Sequence, residues 1–158
     1  MNNTFLANQN TGKDDWQTPK DLFLALDAIF HFTLDPCSTH ENALCAKHYT
    51  KQEDGLSQNW GGEIVFMNPP YCRETGKWIE KAYQESENGA TVVCLIPARP
   101  DTSYWQEIIF PYAANIRFFR KRIHFSGSKN HAGFPSALVV FNRCSQGHYS
   151  HMSLEKIR

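Results

Sequence analysis

The chain has 158 residues, enough for one domain with a sizeable core, and we expect no second domain for target recognition. Its 16 Lys and Arg residues balance 16 Asp and Glu residues, and a net charge of zero alone neither favours nor excludes a nucleic-acid partner. No apolar run approaches the length of a membrane span, which is about 18 residues, and the polar start lacks a signal-peptide pattern. We therefore predict a cytoplasmic protein with no membrane partner.

Residues 1–14 are polar, rich in Asn and without periodicity, which predicts a mobile N-terminal tail before a single domain over residues 15–158. The five cysteines are an odd number without a regular framework, and they indicate reduced thiols.

The first ordered element is predicted to be a helix from about Pro19 to Ile29. Thr18 is placed as its N-cap, Pro19 as its first helical residue, and Asp21 three positions after the cap. Trp16, just before the helix, is either a hydrophobic staple or an aromatic wall for a ligand. The apolar face of this helix comprises Leu22, Leu26, Ile29 and Phe30.

A short strand is predicted next, ending in Asp35, Pro36 and Cys37. In a doubly wound fold, the end of the first strand is the natural place to meet a cofactor. The nearest glycine after Asp35 is Gly55, so the usual glycine-rich cofactor loop is absent from this position.

The central feature is an apolar strand followed by Asn68-Pro69-Pro70-Tyr71. Four consecutive apolar residues, 64–67, predict a strand buried on both faces, and the prolines end it at Asn68. Each proline holds the residue before it in an extended conformation, so the tetrapeptide is stiff. An amide, a carbonyl and an aromatic ring therefore lie where open α/β sheets bind ligands. The alternative is a simple strand-ending turn.

The tetrapeptide suits methyl transfer to an exocyclic amino group. The lone pair of an aromatic amine is delocalised into its ring, so the amine is a poor nucleophile. Two acceptors on its N–H bonds, the Asn68 side-chain oxygen and the Pro69 carbonyl, favour a pyramidal nitrogen whose lone pair points outward. Tyr71 offers a face on which a base taken out of a duplex stacks.

Later segments alternate strand and helix, as in a mostly parallel sheet. A helix over residues 77–87 precedes an apolar strand over residues 90–96, and a capping box that begins at Ser103 predicts the next helix. Residues 116–119 and 137–141 read as a strand pair at the sheet edge. We predict a minimal Rossmann-like α/β sheet, mostly parallel with an antiparallel edge strand.

Charge is distributed unevenly along the chain. Residues 1–107 contain 8 Lys and Arg against 15 Asp and Glu, whereas residues 108–158 contain 8 against 1. A polyanion is expected to lie against the positive half, and a solvated basic face is the alternative.

Four residues in and after the first strand's loop form a possible zinc site. Cys37, His40, Cys45 and His48 have the ligand types and tight pairs of a structural zinc site. Four residues between the pairs leave little chain to surround a tetrahedral ion, so we favour buried thiols with surface histidines and predict no metal.

Taken in order, these and other motifs resemble the small phage-type, Dam-like DNA N6-adenine methyltransferases over about residues 15–142. The motifs are Trp-x-Thr-Pro at 16–19, Leu-Asp-Pro-Cys at 34–37, Glu41-Asn42-Ala43 with Cys45, Glu53-Asp54-Gly55-Leu56, Trp60, Asn-Pro-Pro-Tyr at 68–71, Leu95-Ile96-Pro97-Ala98-Arg99, Trp105, Arg122-Ile123-His124-Phe125 and Phe134-Pro135-Ser136.

The resemblance implies an enzyme that transfers a methyl group from S-adenosylmethionine to adenine N6 in DNA. A second acid such as Asp54 suits the ribose hydroxyls or the adenine amine of the cofactor. Asn68, Pro69, Pro70 and Tyr71 are expected at the target amine. The residues expected near the cofactor are Trp16, Thr18, Pro19, Asp35, Pro36, Cys37 and Asp54.

The same resemblance implies DNA as the partner, inside the bacterial host cell of a phage or prophage, and we favour a monomer. Alternatives are the same chemistry on cytosine N4, RNA or a protein glutamine, or a non-catalytic nucleic-acid-binding module, with or without zinc. The residues predicted to bind DNA are Arg73, Arg99, Arg120, Lys121, Arg122 and Lys129.

Overall fold

A six-stranded sheet forms the centre of the protein in the computed structural model, which describes residues 16–143. The predicted tail over residues 1–14 lies outside the described residues. The strands are β1 (Leu34–Asp35), β2 (Lys47–His48), β3 (Ile64–Met67), β4 (Thr91–Pro97), β5 (Asn115–Phe118) and β6 (Ser136–Asn142).

The strands lie in the order β2-β1-β3-β4-β6-β5. Strands β1 to β4 pair in parallel, and β6 runs antiparallel to both β4 and β5. The predicted mostly parallel, Rossmann-like sheet with an antiparallel pair at its edge is confirmed. Strand β2, which has two residues and no apolar pattern, was not predicted.

Helices cover both faces of this sheet. They are α1 (Lys20–Phe30), α2 (Thr75–Glu87) and a π-helical turn (Trp105–Ile109) that continues into α3 (Phe110–Tyr112). The capping box predicted at Ser103 is wrong, because the side chain of Gln106 donates instead to the carbonyl of Pro100, at 2.6 Å. Within residues 16–143, no helix has the length and apolar character needed to cross a membrane.

The N-cap predicted at Thr18 is also wrong. Helix α1 begins one residue later than expected, Pro19 takes the capping position, and no side chain caps the helix. The Thr18 hydroxyl is used elsewhere, as an acceptor for the side chain of Asn68. The apolar face of α1 is buried through Phe23, Leu26 and Phe30.

The alternation of side chains along the strands divides the core into two clusters, one on each face of the sheet. Val65 and Met67 of β3 pack in the cluster that contains α2 and the π-helical turn, whereas Phe66 between them packs in the cluster that contains α1. The second cluster also takes in Ile123 and Phe125, from the segment that joins β5 to β6. That segment is therefore anchored in the core.

Candidate active site

The carboxyl ends of β1, β3 and β4 meet at one edge of the sheet, because these strands are parallel. Asp35 ends β1, Asn68 follows β3, and Arg99 follows β4. Phe118, at the end of β5, pairs with Ala137 at the start of β6. We call residues 119–135, which join β5 to β6, the basic segment; it leaves from this same edge.

A cavity of about 480 Å³ lies at this edge. Its volume falls in the range of roughly 300 to 1,000 Å³ that is usual for small-molecule sites. Phe23, Leu24 and Phe66 give it an apolar wall, and Asp35 and Glu41 give it negative charge. The predicted site residues that line it are Trp16, Thr18, Asp35, Cys37, Asn68, Pro69 and Pro70.

The side-chain amide of Asn68 is held in one orientation. Its nitrogen donates to the carbonyl of Trp16 at 2.6 Å and to the hydroxyl of Thr18 at 2.9 Å. Because a backbone carbonyl can only accept, the amide atom beside it must be the nitrogen. The amide oxygen of Asn68 is buried and has no hydrogen-bond partner among residues 16–143. Its capacity to accept a hydrogen bond is therefore not used by the described residues.

Asp35 is a buried carboxylate on the cavity wall. Its two oxygens accept the backbone N–H groups of Leu44, at 3.1 Å, and Cys37, at 3.4 Å. Burial raises the pKa of Asp35 above its ordinary value, although these two N–H groups and nearby His48 lower it. The carboxylate thus shapes the loop after β1 and also faces the cavity.

Two thiols near the site, Cys37 and Cys45, have raised pKa values. Burial, with the negative charge of Asp35 as a smaller cause, raises the pKa of Cys37 well above the ordinary range. The same two causes raise the pKa of Cys45 to about 12. Because the thiolate is the nucleophile, neither residue supplies one.

The four residues of the possible zinc site do not converge on a common point. Nδ1 of His40 lies 2.9 Å from Nε2 of His48, so the two imidazoles hydrogen-bond to each other. Within the part of the chain that the structure describes, no three Cys, His, Asp or Glu side chains are grouped so that they could hold a metal ion. The zinc alternative therefore has no structural support.

Asp54 lies outside the cavity, so its predicted role at the cofactor is not supported by the geometry. Its exposed carboxylate accepts from the hydroxyl of Ser57, at 2.5 Å. The next residue, Gly55, packs under Pro36 so closely that a Cβ would stand 2.0 Å from the Pro36 carbonyl oxygen. The motif over residues 53–56 therefore packs against the loop that directly follows β1. Pro19 and Pro36 likewise do not line the cavity.

Six polar residues that line the cavity were not predicted as site residues: Gln17, Lys20, Ser38, Glu41, Asn42 and Ser126. Ser38 lines the cavity, and its hydroxyl is buried without a partner among the described residues. Glu41 is exposed at the rim, and hydrogen bonds from its own backbone N–H and from the Thr39 hydroxyl lower the pKa of its carboxyl. The position of Glu41 in the sequence could have indicated a site residue, because an acid in the loop after β1 lies beside the strand end that is expected to meet the cofactor.

Tyr71 belongs to an aromatic cluster that we define as Trp16, Tyr71, Phe125 and Phe134. The ring of Tyr71 meets Phe134 and Phe125 edge-on, with centroids 5.6 and 6.1 Å apart. Its hydroxyl donates to the carbonyl of Leu95 at 3.0 Å, and burial raises the pKa of this hydroxyl well above its ordinary value. Tyr71 is half-buried and does not line the cavity, so its stacking on a base stays a prediction.

The residues predicted to bind DNA lie around the same edge. Arg73 is exposed in the turn after Tyr71, and Arg99 is half-buried with its guanidinium 6.0 Å from the ring centre of Phe134. The remaining four are exposed on the basic segment: Arg120, Lys121, Arg122 and Lys129.

The basic segment is anchored to the core and to the residues before helix α1. Ile123, Phe125 and Ala132 are buried in the core, and the N–H of Ala132 donates to the carbonyl of Ile123 at 2.8 Å. At its tip, the N–H of Ser126 donates to the carbonyl of Gln17 at 2.9 Å. The exposed cations are thus carried on an ordered backbone beside the cavity.

Comparison with known proteins agrees with this geometry. A family model described as DNA N-6-adenine-methyltransferase (Dam) matches residues 7–157. The DNA N-6-adenine-methyltransferase of Haemophilus phage HP1 (strain HP1c1) is 26% identical over 148 residues, which are 86% of this chain and 84% of that protein. The DNA N-6-adenine-methyltransferase of Escherichia phage T1 is 30% identical over 97 residues, 60% of this chain and 40% of that protein.

The mostly parallel six-stranded sheet with an antiparallel edge is consistent with the Rossmann-like fold of methyltransferases. Since the family model matches nearly the whole sequence, the chain belongs to the DNA N-6-adenine-methyltransferase (Dam) family. The resemblance read from the motifs is confirmed, as is the prediction of an adenine-specific DNA methyltransferase at the level of the family. Membership implies a methyl donor and a DNA substrate.

Proposed function

We propose that the protein transfers a methyl group from S-adenosylmethionine to N6 of an adenine that is flipped out of DNA. The observation that carries this proposal is the amide of Asn68, whose nitrogen has two protein partners while its buried oxygen has none. The phage origin of the two relatives supports action on DNA within a bacterial host cell.

The cavity residues fit S-adenosylmethionine. The apolar wall suits the adenine of the cofactor, and the carboxylates of Asp35 and Glu41 suit its ribose hydroxyls and positive charges. The free hydroxyl of Ser38 adds a donor and an acceptor. When bound, the cofactor supplies an electrophilic methyl group on a positively charged sulfur.

Asn68 and Pro69 prepare the target amine. The Asn68 oxygen and the Pro69 carbonyl each accept one N–H of the adenine amino group, which favours a pyramidal nitrogen with its lone pair pointing outward. The new N–C bond forms as the sulfur–carbon bond breaks. Methylation makes the nitrogen cationic and its proton strongly acidic, so the proton passes to water without a conventional general base.

The test is a methylation assay on mixed duplex DNA with isotope-labelled S-adenosylmethionine, followed by digestion to nucleosides and mass spectrometry. We expect label in N6-methyldeoxyadenosine. Label in N4-methyldeoxycytidine, or label incorporated into RNA or into a protein glutamine in parallel assays with those substrates, would replace the proposed substrate with one of the alternatives. Absence of calorimetric binding of S-adenosylmethionine would contradict the proposal as a whole.

Asp35 is expected to contribute to cofactor affinity. Asp35→Asn removes the negative charge with little change in shape, and S-adenosylmethionine affinity should fall about tenfold or more because a hydrogen bond to a charged group is lost. Calorimetry measures this, with Asp54→Asn as the matched control for an acid outside the cavity. If the folded Asp35→Asn protein binds the cofactor normally, Asp35 only organises the loop after β1.

The ionisation of Asp35 gives a second readout of the same role. The carboxylate attracts a cationic ligand only when it is ionised, so affinity should weaken as the pH falls through its pKa. Because burial raises the pKa of Asp35, this loss should begin at a higher pH than for an ordinary aspartate. The Asp35→Asn protein should lack this pH dependence, and an identical profile in both proteins would contradict the assignment.

Tyr71 is expected to act on the base. Tyr71→Leu keeps an apolar side chain but removes the ring, and it should raise the KM for DNA by about tenfold because base–aromatic stacking contributes roughly 1 to 3 kcal/mol per base. Tyr71→Phe, which loses only the hydrogen bond to Leu95, is the control and should stay near the wild-type KM. Equal KM values for DNA in the wild-type and Tyr71→Leu proteins would show that the ring has a packing role.

A further inference from the structure

We propose that Thr18 is a positioning residue that, together with the Trp16 carbonyl, sets which atom of the Asn68 amide faces the target amine. The proposal rests on the proposed function, since it concerns how the same site is prepared. It assigns a role to the segment before helix α1 that neither helix capping nor direct contact with a ligand requires.

The position of the Thr18 hydroxyl supports this role. Thr18 is buried, and no side chain caps α1 although Thr18 precedes the helix by two positions. Its hydroxyl oxygen instead accepts one N–H of the Asn68 amide at 2.9 Å, and the Trp16 carbonyl accepts the other at 2.6 Å. Both N–H bonds of the amide are satisfied by one short segment of chain.

The Trp16 carbonyl excludes the flipped amide, and the Thr18 hydroxyl, which can donate as well as accept, holds the plane of the amide in place. A rotation of Asn68 by half a turn about its last side-chain bond would bring the amide oxygen against the Trp16 carbonyl oxygen. Two acceptors in contact repel each other, and both N–H bonds would face the ligand side. An amide in that orientation would offer donors to the adenine amine, which is itself a donor. Catalysis therefore requires the observed orientation.

The basic segment holds residues 16–18, which position Asn68, in place. The N–H of Ser126 donates to the Gln17 carbonyl at 2.9 Å, and the Ser126 hydroxyl donates to the Thr18 carbonyl at 3.4 Å. Phe125 and Phe134 of the basic segment meet the ring of Trp16, each with centroids 5.3 Å apart. The backbone that fixes Asn68 thus packs against the segment that carries the exposed cations.

The same contacts explain why position 68 requires an asparagine and not an ionised aspartate. An ionised aspartate has no N–H to offer the Trp16 carbonyl, so its carboxylate would lie beside another acceptor. A protonated aspartate can donate its O–H to that carbonyl and keep its other oxygen for the substrate. We therefore expect Asn68→Asp to be active only where its carboxyl is protonated.

The first experiment compares Thr18→Val, which keeps the shape but loses the acceptor, with Thr18→Ser, which keeps the hydroxyl. For Thr18→Val we expect kcat at saturating S-adenosylmethionine to fall about tenfold or more while the KM for DNA changes little, since a hydrogen bond that matters in the transition state is lost. Thr18→Ser should restore most of kcat. An unchanged kcat in folded Thr18→Val would overturn the proposal.

The second experiment does not depend on turnover. Nuclear magnetic resonance of the wild-type protein should show slow hydrogen exchange at the Asn68 side-chain amide, and exchange should be faster in Thr18→Val. Rapid exchange in the wild type would overturn the proposal. Slow exchange in a protein that methylates no adenine would keep the positioning role and reject the proposed function, so the two failures are distinguishable.

The third experiment is the pH profile of Asn68→Asp. Its kcat should rise as the pH falls, whereas the wild-type profile should show no such rise. If Asn68→Asp matches the wild type at neutral pH, the Trp16 carbonyl imposes no requirement for an N–H donor and the proposal is wrong.

Discussion

Asn68→Ala should abolish most methyl transfer while leaving the affinity for S-adenosylmethionine within a few fold of the wild type. The amide oxygen acts on the target amine, and loss of one preorganised group at a reacting centre costs about a hundredfold or more in kcat. The alanine also leaves the Thr18 hydroxyl and the Trp16 carbonyl without their donor. Single-turnover rates with labelled cofactor, and calorimetry in parallel, measure the two effects separately.

A matched control is Asn88→Ala, which removes an exposed asparagine outside the cavity. It should have wild-type turnover and cofactor affinity. Near-normal turnover of Asn68→Ala would reject the assignment of this amide. A large loss of cofactor affinity in Asn68→Ala would instead indicate that the amide contacts the cofactor and not the target amine.

The sheet was predictable because its strand signals are local. The strand predicted over residues 64–67 is found with the same bounds, and the strand predicted over residues 90–96 is found at Thr91–Pro97. Both are continuous apolar runs that prolines end, and both lie between helices, where a parallel strand must be apolar on both faces. Strand β2 (Lys47–His48) has no such run, and it exists through its pairing with β1.

The roles of individual polar residues were less predictable because they depend on distant partners. Thr18 precedes a helix and has the residue type of an N-cap, yet its hydrogen-bond partner is Asn68, which lies 50 positions away in the sequence. Asp54 has the residue type of a ribose ligand, yet it lies outside the cavity and its carboxylate accepts from the hydroxyl of Ser57. Short-range patterns cannot distinguish these uses.

Asn68 shows how sequence and structure combine at the site. The two prolines after it, read from the sequence, explain why the chain is stiff and extended at the strand end. They do not determine which atom of its amide faces a ligand. That is set by the Trp16 carbonyl, which belongs to a segment that the chain brings back to the strand end only when folded.

Replacement of Arg120, Lys121 and Arg122 together by alanine should weaken DNA binding and flatten its salt dependence. The three side chains are exposed, and none of them enters an ion pair within the described range 16–143. They are carried by the ordered basic segment, beside the cavity that holds Asn68. Each lost phosphate contact should reduce the slope of log K against log salt by about 0.9, and three lost contacts by up to about 2.7.

Fluorescence anisotropy of labelled duplex DNA over a range of salt concentrations measures this slope. The control replaces Lys47 and Arg143, two exposed cations near the opposite edge of the sheet, where Lys47 pairs with the start of β1 and Arg143 follows the end of β6. The control should keep the wild-type slope, and both variants should bind S-adenosylmethionine normally. An unchanged slope in the triple variant would mean that the basic segment is a solvated face and that DNA lies elsewhere, because counterion release follows the phosphate contacts that are made.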